Sequence, residues 1–280
     1  AYFDVRASKL GDGLTYIFRD VTDRVQSALD LEEKTRELER SNRELQSFAY
    51  IASHDLQEPL RKIRTFGERV ETLYAEALGS RGLDHLRRIR AAAARMGDLL
   101  DGLLEYSRVS HRPSTMEPVA LDLLVPRVLD DLEVAVAASG AVIEVGRLPR
   151  VIGNPAQLHG LFQNLLANAI KFRHAERPPR VEVCAGEHLN GQVWVVVRDN
   201  GIGFEPQYAE RLFEPFQRLH TLDEYAGAGM GLASARRVAE RHGGRIEARG
   251  ELGVGAEFRV LLPADPGADE VAPSEPNRPA

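Results

Sequence analysis

The 280-residue chain has a single cysteine and a single tryptophan. One thiol, Cys184, excludes an internal disulfide and a cysteine-rich zinc site. Within "VEVCAG" that cysteine reads as a buried strand residue. Long apolar runs are also missing. No uncharged stretch approaches about 18 residues, so no membrane span is expected in this chain, and no signal-peptide pattern opens it. A basic excess is absent too. The 36 Lys and Arg are outnumbered by 42 Asp and Glu, a net charge of -6, which gives no global field that would attract nucleic acid. Proline and glycine are nearly absent from Val21 to Ala77, where only Pro59 and Gly67 occur. What fills that stretch is Leu, Glu, Arg and Gln, and one long helix is the natural reading. With 43% hydrophobic residues, the whole is a globular composition long enough for two domains.

Residues 2–19, "YFDVRASKLGDGLTYIFR", read as two strands joined by a turn at "GDG". Two strands are too few for a stable sheet. The chain begins with Ala1 in what reads as mid-strand, so a piece of a longer protein is expected. Along the helix, Leu31, Leu38, Leu45 and Ala52 lie seven apart, with Phe66 and Leu73 continuing the row. Ala49, Leu56, Ile63 and Val70 form a companion row. A second helix is predicted from about Leu83 to Tyr106, with a stripe of Leu86, Ile89, Ala93, Met96, Leu100 and Leu103, after a turn at "LGSRG". An antiparallel hairpin of this kind leaves much apolar surface wet. Pairing two hairpins into a four-helix bundle would bury it, which predicts a homodimer.

The pattern changes near Pro113. The order predicted from there is a strand around Val119, a helix over 121–138, and strands at "AVIEV" and "RVIG". A helix from Pro155 to about Phe172 and the strands "RVEVCAGE" and "QVWVVVRD" follow. After a Gly/Phe-rich region at 200–230 come a helix from Leu232 to His242 and the closing strands "GRIEARG" and "AEFRVLL". That is an α+β sandwich with helices on one face of a mixed sheet. The last stretch, rich in Pro, Ala and acid, is expected to be disordered.

Several residue groups carry chemical potential, each beside a plainer reading. In "SHDLQEP", His54 falls opposite the heptad seam and faces solvent, as a surface histidine would. Asp55 beside it could instead hold one ring nitrogen protonated and leave the other nucleophilic, and Pro59 should bend the helix nearby. In "NLLANAIKF", Asn164, Asn168 and Lys171 share one helical face, while Leu158, Leu161, Leu165, Ala169 and Phe172 make a core face. The polar line is either a solvated face or a holder of magnesium and phosphate oxygens. "RDNGIGF" places Asp199 at the end of the most apolar strand, as part of a simple turn or as an acceptor for an exocyclic amine. "GAGMGL" supplies Gly227, Gly229 and Gly231 at a helix start, where backbone N–H groups suit phosphates. Phe213 and Phe216 are either core or the anchor of a lid, and Arg218 could reach a terminal phosphate.

The order of these pieces is more specific than any one of them. "SHDLQEPLR", "NLLANAIKF", "DNGIGF", "LFEPFQRL" and "GAGMGLA" resemble the H, N, G1, F and G2 boxes of sensor histidine kinases, in that family's order. The wording around His54 resembles phytochrome-type and PAS-linked kinases. The resemblance implies a helical-hairpin dimerisation domain, forming a four-helix bundle in the dimer, followed by an α+β sandwich ATP-binding domain of the Bergerat or GHKL type. It implies residues 1–24 as the end of a PAS-like sensor domain, 25–44 as a coiled-coil signalling helix, 45–110 as the phosphotransfer hairpin, 114–263 as the catalytic domain and 264–280 as a disordered tail. His54 would be the phosphoacceptor and Asp55 its helper base. Asn168 with Asn164 would hold Mg2+, Lys171 would contact phosphate, and Asp199 would read adenine. Gly201, Gly203, Gly227, Gly229 and Gly231 would shape the lid and phosphate loop, and Arg218 would approach the γ-phosphate.

The implied activity is autophosphorylation of His54 from ATP and transfer to the receiver domain of a response regulator, in the cytoplasm, under an upstream sensor domain of the same polypeptide. Hydrolytic relatives of this fold carry a glutamate one turn before the magnesium asparagine. Here that position is Asn164, and an amide cannot serve as that base, so transfer is favoured over hydrolysis. A dimeric scaffold that binds nucleotide without kinase activity is the alternative. The sequence also departs from the family. Glu58 stands where Thr or Asn is common in kinases that dephosphorylate their partner, which puts a strong phosphatase activity in doubt. Ala228 and Met230 are apolar replacements in the last glycine box.

Overall fold

The computed structural model describes residues 1–10, 13–111, 115–219, 225 and 229–267. Gly11 and Asp12 of the predicted "GDG" turn, Gly227, Ala228 and the tail beyond 267 lie outside the described residues, as do the side chains of Leu38, Leu45, Ala49, Ala52 and His54. The chain divides into two units, Ala1–Ala52 and Ser53–Ala280.

In the first unit, β1 (Phe3–Leu10) and β2 (Gly13–Asp20) pair antiparallel, with Phe3 opposite Asp20 and Leu10 opposite Gly13. Apolar side chains stand exposed along the ribbon, among them Phe3, Leu14, Tyr16, Ile17 and Phe18. The ribbon leads into the helical stretch α1 (Thr22–His111). Its start is fixed by polar links. Asp20 Oδ1 accepts from the Thr22 amide at 2.9 Å, and Thr22 Oγ1 accepts from the Tyr2 amide at 2.8 Å.

In the second unit α1 folds back on itself. Its dihedrals leave the helical region at Tyr74, ahead of "LGSRG", and again at Gly79 (φ 60°, ψ -179°) within that predicted turn. Glycine at φ 60° removes the steric cost of that turn. No such departure occurs at Pro59, so the expected disturbance beside it is not a break in the helix. The helix also runs past Tyr106 to His111.

The two arms meet along Ser53, Leu60 and Gly67, which are seven apart and buried. A Cβ on Gly67 would stand 2.8 Å from Arg90 Cγ and 3.6 Å from Leu86 Cδ1. Glu71 joins the arms electrostatically, accepting from Arg87 at 2.8 Å and from Arg90. The predicted rows mostly lie elsewhere. Leu56, Ile63, Phe66, Leu73, Ile89 and Met96 are exposed in the single chain, whereas Ala93 is buried at 1%.

The remaining elements are β3 (Glu117–Ala120), α2 (Leu121–Asp131), α3 (Glu133–Ser139), β4 (Val142–Val145), β5 (Arg150–Gly153), α4 (Pro155–Lys171), β6 (Arg180–Leu189), β7 (Gln192–Asp199), α5 (Gly231–Arg241), β8 (Arg245–Glu251) and β9 (Gly255–Pro263). The predicted single helix over 121–138 is two helices, separated at Leu132, whose amide bonds to both Val128 and Leu129 carbonyls. A five-stranded sheet has the order β4-β6-β7-β9-β8, parallel at β4–β6 and antiparallel elsewhere. β3 and β5 form a separate two-stranded ribbon, tied on through a bridge from Val151 to Ala264.

One face of the sheet packs against the helices through Val181, Val183, Val195, Val197, Val260 and Leu262, all at most 2% exposed. α4 brings Leu158, Leu161, Phe162 and Leu165 to that core. On the other face Trp194 is buried without a second layer, because the guanidinium groups of Arg245 and Arg259 lie 5.0 and 4.7 Å from its ring. Arg198 there bridges Glu182 and Glu257, both at 2.7 Å. Cys184 is half-buried rather than buried, and desolvation, then the nearby Glu182 carboxylate, pushes its thiol up.

Candidate functional site

Helix α4 begins at Asn154, whose side-chain oxygen accepts from the Gln157 amide at 3.0 Å, with Pro155 at the first helical position. Three turns on, the helix presents Asn164, Asn168 and Lys171 to a cleft of about 450 Å3. Asp199 enters it from the end of β7, and Gly203, Arg218, Gly229 and Gly231 complete its wall. The cleft thus gathers eight of the twelve site residues named from sequence. Gly201 supports it from behind, donating its amide to Asp199 Oδ1 at 2.8 Å. Gly227 lies outside the described residues. His54 and Asp55 are on the first arm of α1 and are not among the described residues lining the cleft.

Asp199 is largely removed from water. Desolvation raises its pKa to about 6, opposed by hydrogen bonds from the backbone of Gly201 and Ala256 and by the charge of Arg177. Half-burial lowers the pKa of Lys171, and the positive charge of Arg218 adds to the effect. The Lys171 ammonium sits 4.4 Å from the centre of the Phe172 ring. Phe172, expected in the core, is instead half-buried and lines the cleft, its ring 4.9 Å from that of Tyr225. It is the residue that ends α4, so the helical periodicity that assigns it to the core face no longer applies.

Two glycines are required by close approach. Gly203 has φ 64°, and a Cβ there would run into the carbonyl of Glu251. A Cβ on Gly231 would stand 2.8 Å from Asn164 Oδ1, so the start of α5 closes directly onto the asparagine. Phe213 is core, 4% exposed and edge-on to Phe258 at 6.4 Å. Phe216 is 51% exposed with φ 64°, so the two phenylalanines have separate roles.

Other residues of the site have little sequence signal. Arg177 donates to the carbonyls of Gly201 (2.9 Å), Gly253 (2.9 Å) and Val254 (2.7 Å), tying the "DNGIGF" loop to the β8–β9 turn. Asn200 locks the same loop, accepting from the Arg180 amide at 2.8 Å and donating to the Pro178 carbonyl at 3.0 Å. Asp98, Asp101 and Gly102, on the second arm of α1, also line the cleft. Their spacing places them on one helical face, a polar interruption that is legible only once the domain beside it is known.

A cleft with paired amides, a buried carboxylate, two cations and glycines at a helix start, on a two-layer α/β domain following a helical hairpin, has the chemistry of a nucleotide site. Residues 153–266 match the family described as histidine kinase-, DNA gyrase B- and HSP90-like ATPase. Cyanobacterial phytochrome A of Nostoc sp. is 40% identical over 239 residues, covering 85% of this chain and 31% of that protein. The methanogenesis regulatory histidine kinase FilI of Methanothrix harundinacea is 32% identical over 247 residues, covering 88% of this chain and 27% of that protein. Among solved structures, full-length ShkA in complex with AMPPNP is 25% identical with a TM-score of 0.60, covering 80% of this chain and 47% of that one. Residues 153–266 therefore carry the core of that ATPase family, and most of the chain is similar to phytochromes and sensor histidine kinases. It spans about a third of the length of the curated relatives it matches. Among the described residues, no helix is long and apolar enough to cross a membrane.

Proposed function

We propose that this chain binds Mg-ATP, phosphorylates His54 and passes the phosphoryl group to an aspartate on the receiver domain of a response regulator. The observation that carries the reading is the convergence of Asn164, Asn168, Lys171, Asp199 and Arg218 on one cleft. It lies in a chain whose hairpin bears the "SHDLQEP" sequence. Asp199 accepts a hydrogen bond from the exocyclic amine of adenine. The amide oxygens of Asn164 and Asn168 are hard donors of the kind Mg2+ takes while keeping several waters, so the residues present fit the ion. When bound, the ion neutralises charge on the phosphates. Lys171 and Arg218 supply positive charge to the same oxygens.

In the transfer step one nitrogen of neutral His54 attacks the γ-phosphorus. The bond to the β,γ-bridging oxygen breaks and ADP leaves. The other ring nitrogen keeps its proton until Asp55 accepts it. Asn164 at the position of the hydrolytic base keeps water from being activated there, which supports transfer over hydrolysis.

The exposed Leu56, Ile63, Phe66, Leu73, Ile89 and Met96 support a homodimer joined as a four-helix bundle. Within it, 45–110 is the phosphotransfer hairpin and 114–263 the catalytic domain. The β1–β2 ribbon is the end of a PAS-like sensor domain, and 25–44 is a coiled-coil signalling helix, in a kinase working in the cytoplasm. Incubation with γ-labelled ATP and magnesium tests the core claim. Acid-labile, base-stable label is expected in the wild type and not in His54→Ala. Absence of label in the wild type overturns the kinase reading. Phosphate release without a partner, unaffected by His54→Ala, would mark a hydrolase instead.

A further inference from the structure

Gln57 Nε2 donates to Asp101 Oδ1 at 2.6 Å, across the two arms of the hairpin. Asp101 also lines the nucleotide cleft, with Asp98 and Gly102 beside it. Tyr106 continues the same face of the second arm, and its ring lies 5.5 Å from the Arg237 guanidinium on α5. This face is therefore where the chain's own nucleotide domain meets its own hairpin. Gln57 follows His54 by three residues, one helical turn along α1. A short sequence of contacts thus runs from the cleft, through Asp101 and Gln57, to the turn that carries the phosphoacceptor.

We propose that Asp101 is a positioning residue for phosphoryl transfer, acting through Gln57 to register the His54 turn against the cleft of the same chain. The inference rests on the kinase reading above. A carboxylate accepting from an amide at this distance makes a charge-assisted bond, stronger and more directional than a neutral one. Phosphoryl transfer depends on holding nucleophile and phosphorus about 3–3.5 Å apart and in line, so a small loss of register is costly. The charge of this carboxylate has the sign of the phosphates, so it adds no attraction to them, and the bond it makes is to Gln57. Its effect belongs on the rate at saturating ATP, not on the ATP concentration required.

The test compares autophosphorylation of the full chain in wild type, Asp101→Ala, Asp101→Asn, Gln57→Ala and the Asp101→Ala/Gln57→Ala double variant, with binding of a fluorescent ATP analogue measured alongside. Each alanine variant is expected to label about tenfold more slowly at saturating ATP. The double variant should be no slower than either single one, because both remove one contact. Half-saturating ATP and analogue affinity should stay within about twofold in Gln57→Ala, a residue outside the cleft lining, and Asp101→Asn, whose amide oxygen still accepts from Gln57, should recover part of the rate. If Asp101→Ala fails to fold, Asp101→Asn and Gln57→Ala carry the comparison. Rates within twofold of wild type, additive losses, or analogue affinity of Gln57→Ala falling in step with rate would each overturn the proposal alone. An unlabelled wild type would instead remove the kinase reading, and this proposal with it.

Discussion

The backbone N–H of Asn154, which caps α4, donates to Nε2 of His242 at 2.9 Å. The other ring nitrogen of His242 lies 2.7 Å from the Val238 carbonyl and so carries the proton as donor. One neutral tautomer satisfies both partners and fastens the end of α5 to the start of the helix that presents Asn164 and Asn168. Burial lowers the pKa of His242, with the Val238 carbonyl opposing and Arg241 reinforcing the shift. Because the folded pKa is depressed, this group contributes stability above about pH 6.5, lost as pH falls through the folded value. Urea unfolding should therefore show stability declining below about pH 6.5, and His242→Ala should lose that slope. It should also cost about 1–3 kcal/mol at neutral pH, since the Asn154 amide is left without its acceptor.

Asp199 works in the opposite sense. Its folded pKa, about 6, exceeds the ordinary carboxyl value of 3.8, so between those two pH values the folded state holds a proton that the unfolded chain has released. Stability from this group is present below about 3.8 and lost as pH rises through about 6. Ligand binding reverses the preference, because an ionised carboxylate is the better acceptor for an amine. Affinity for an adenine nucleotide should fall as pH drops through about 6, and Asp199→Asn should weaken it about tenfold and flatten that profile. Fluorescent-analogue titrations from pH 5 to 8 measure both effects; a wild-type profile without a step near 6 would contradict the role.

The half that holds the cleft is the more legible part of the sequence. "VWVVV" reads as a buried strand, and α4 starts at Pro155, where the sequence places it. The polar line Asn164–Asn168–Lys171 follows from helical spacing alone. What escapes the pattern does so for physical reasons. The contact between the hairpin arms runs through Ser53, Leu60 and Gly67, and neither serine nor glycine scores as apolar although both permit close approach. Arg177 and His242 act through contacts 76 and 88 residues away in sequence, which no local periodicity encodes. Asp98 and Asp101 read as an ordinary solvated face until another element packs beside them.

The rows that are legible as heptads predict the oligomer. Phe66 is 61% exposed, Leu73 59% and Ile89 56% in the single chain. Side chains of this size contribute about 1.5–3 kcal/mol each when taken out of water, and an interface must recover that. The wild-type chain should sediment as a dimer, and Ile63→Asp with Phe66→Asp should sediment as a monomer. The nucleotide domain should keep its melting transition, because its core is separate from these residues. A variant that still sediments as a dimer would show that another surface joins the subunits.

Glu58 tests the balance between kinase and phosphatase. It lies one turn beyond His54, and its carboxylate is held along the helix by Lys62 at 2.7 Å. Both side chains are 60% exposed, so the pair is worth little to stability, and Glu58→Thr should leave melting within about 0.5 kcal/mol. Its consequence is chemical. A carboxylate near the phosphorylated aspartate of a partner repels the very group it would have to help hydrolyse, whereas a hydroxyl could hold a water without that charge. The phosphorylated receiver domain should decay little faster with this chain and ADP than alone, and Glu58→Thr should accelerate the decay without slowing labelling of His54. Rapid stimulated decay with the wild type would show that the acid is no barrier and that water is oriented by another group.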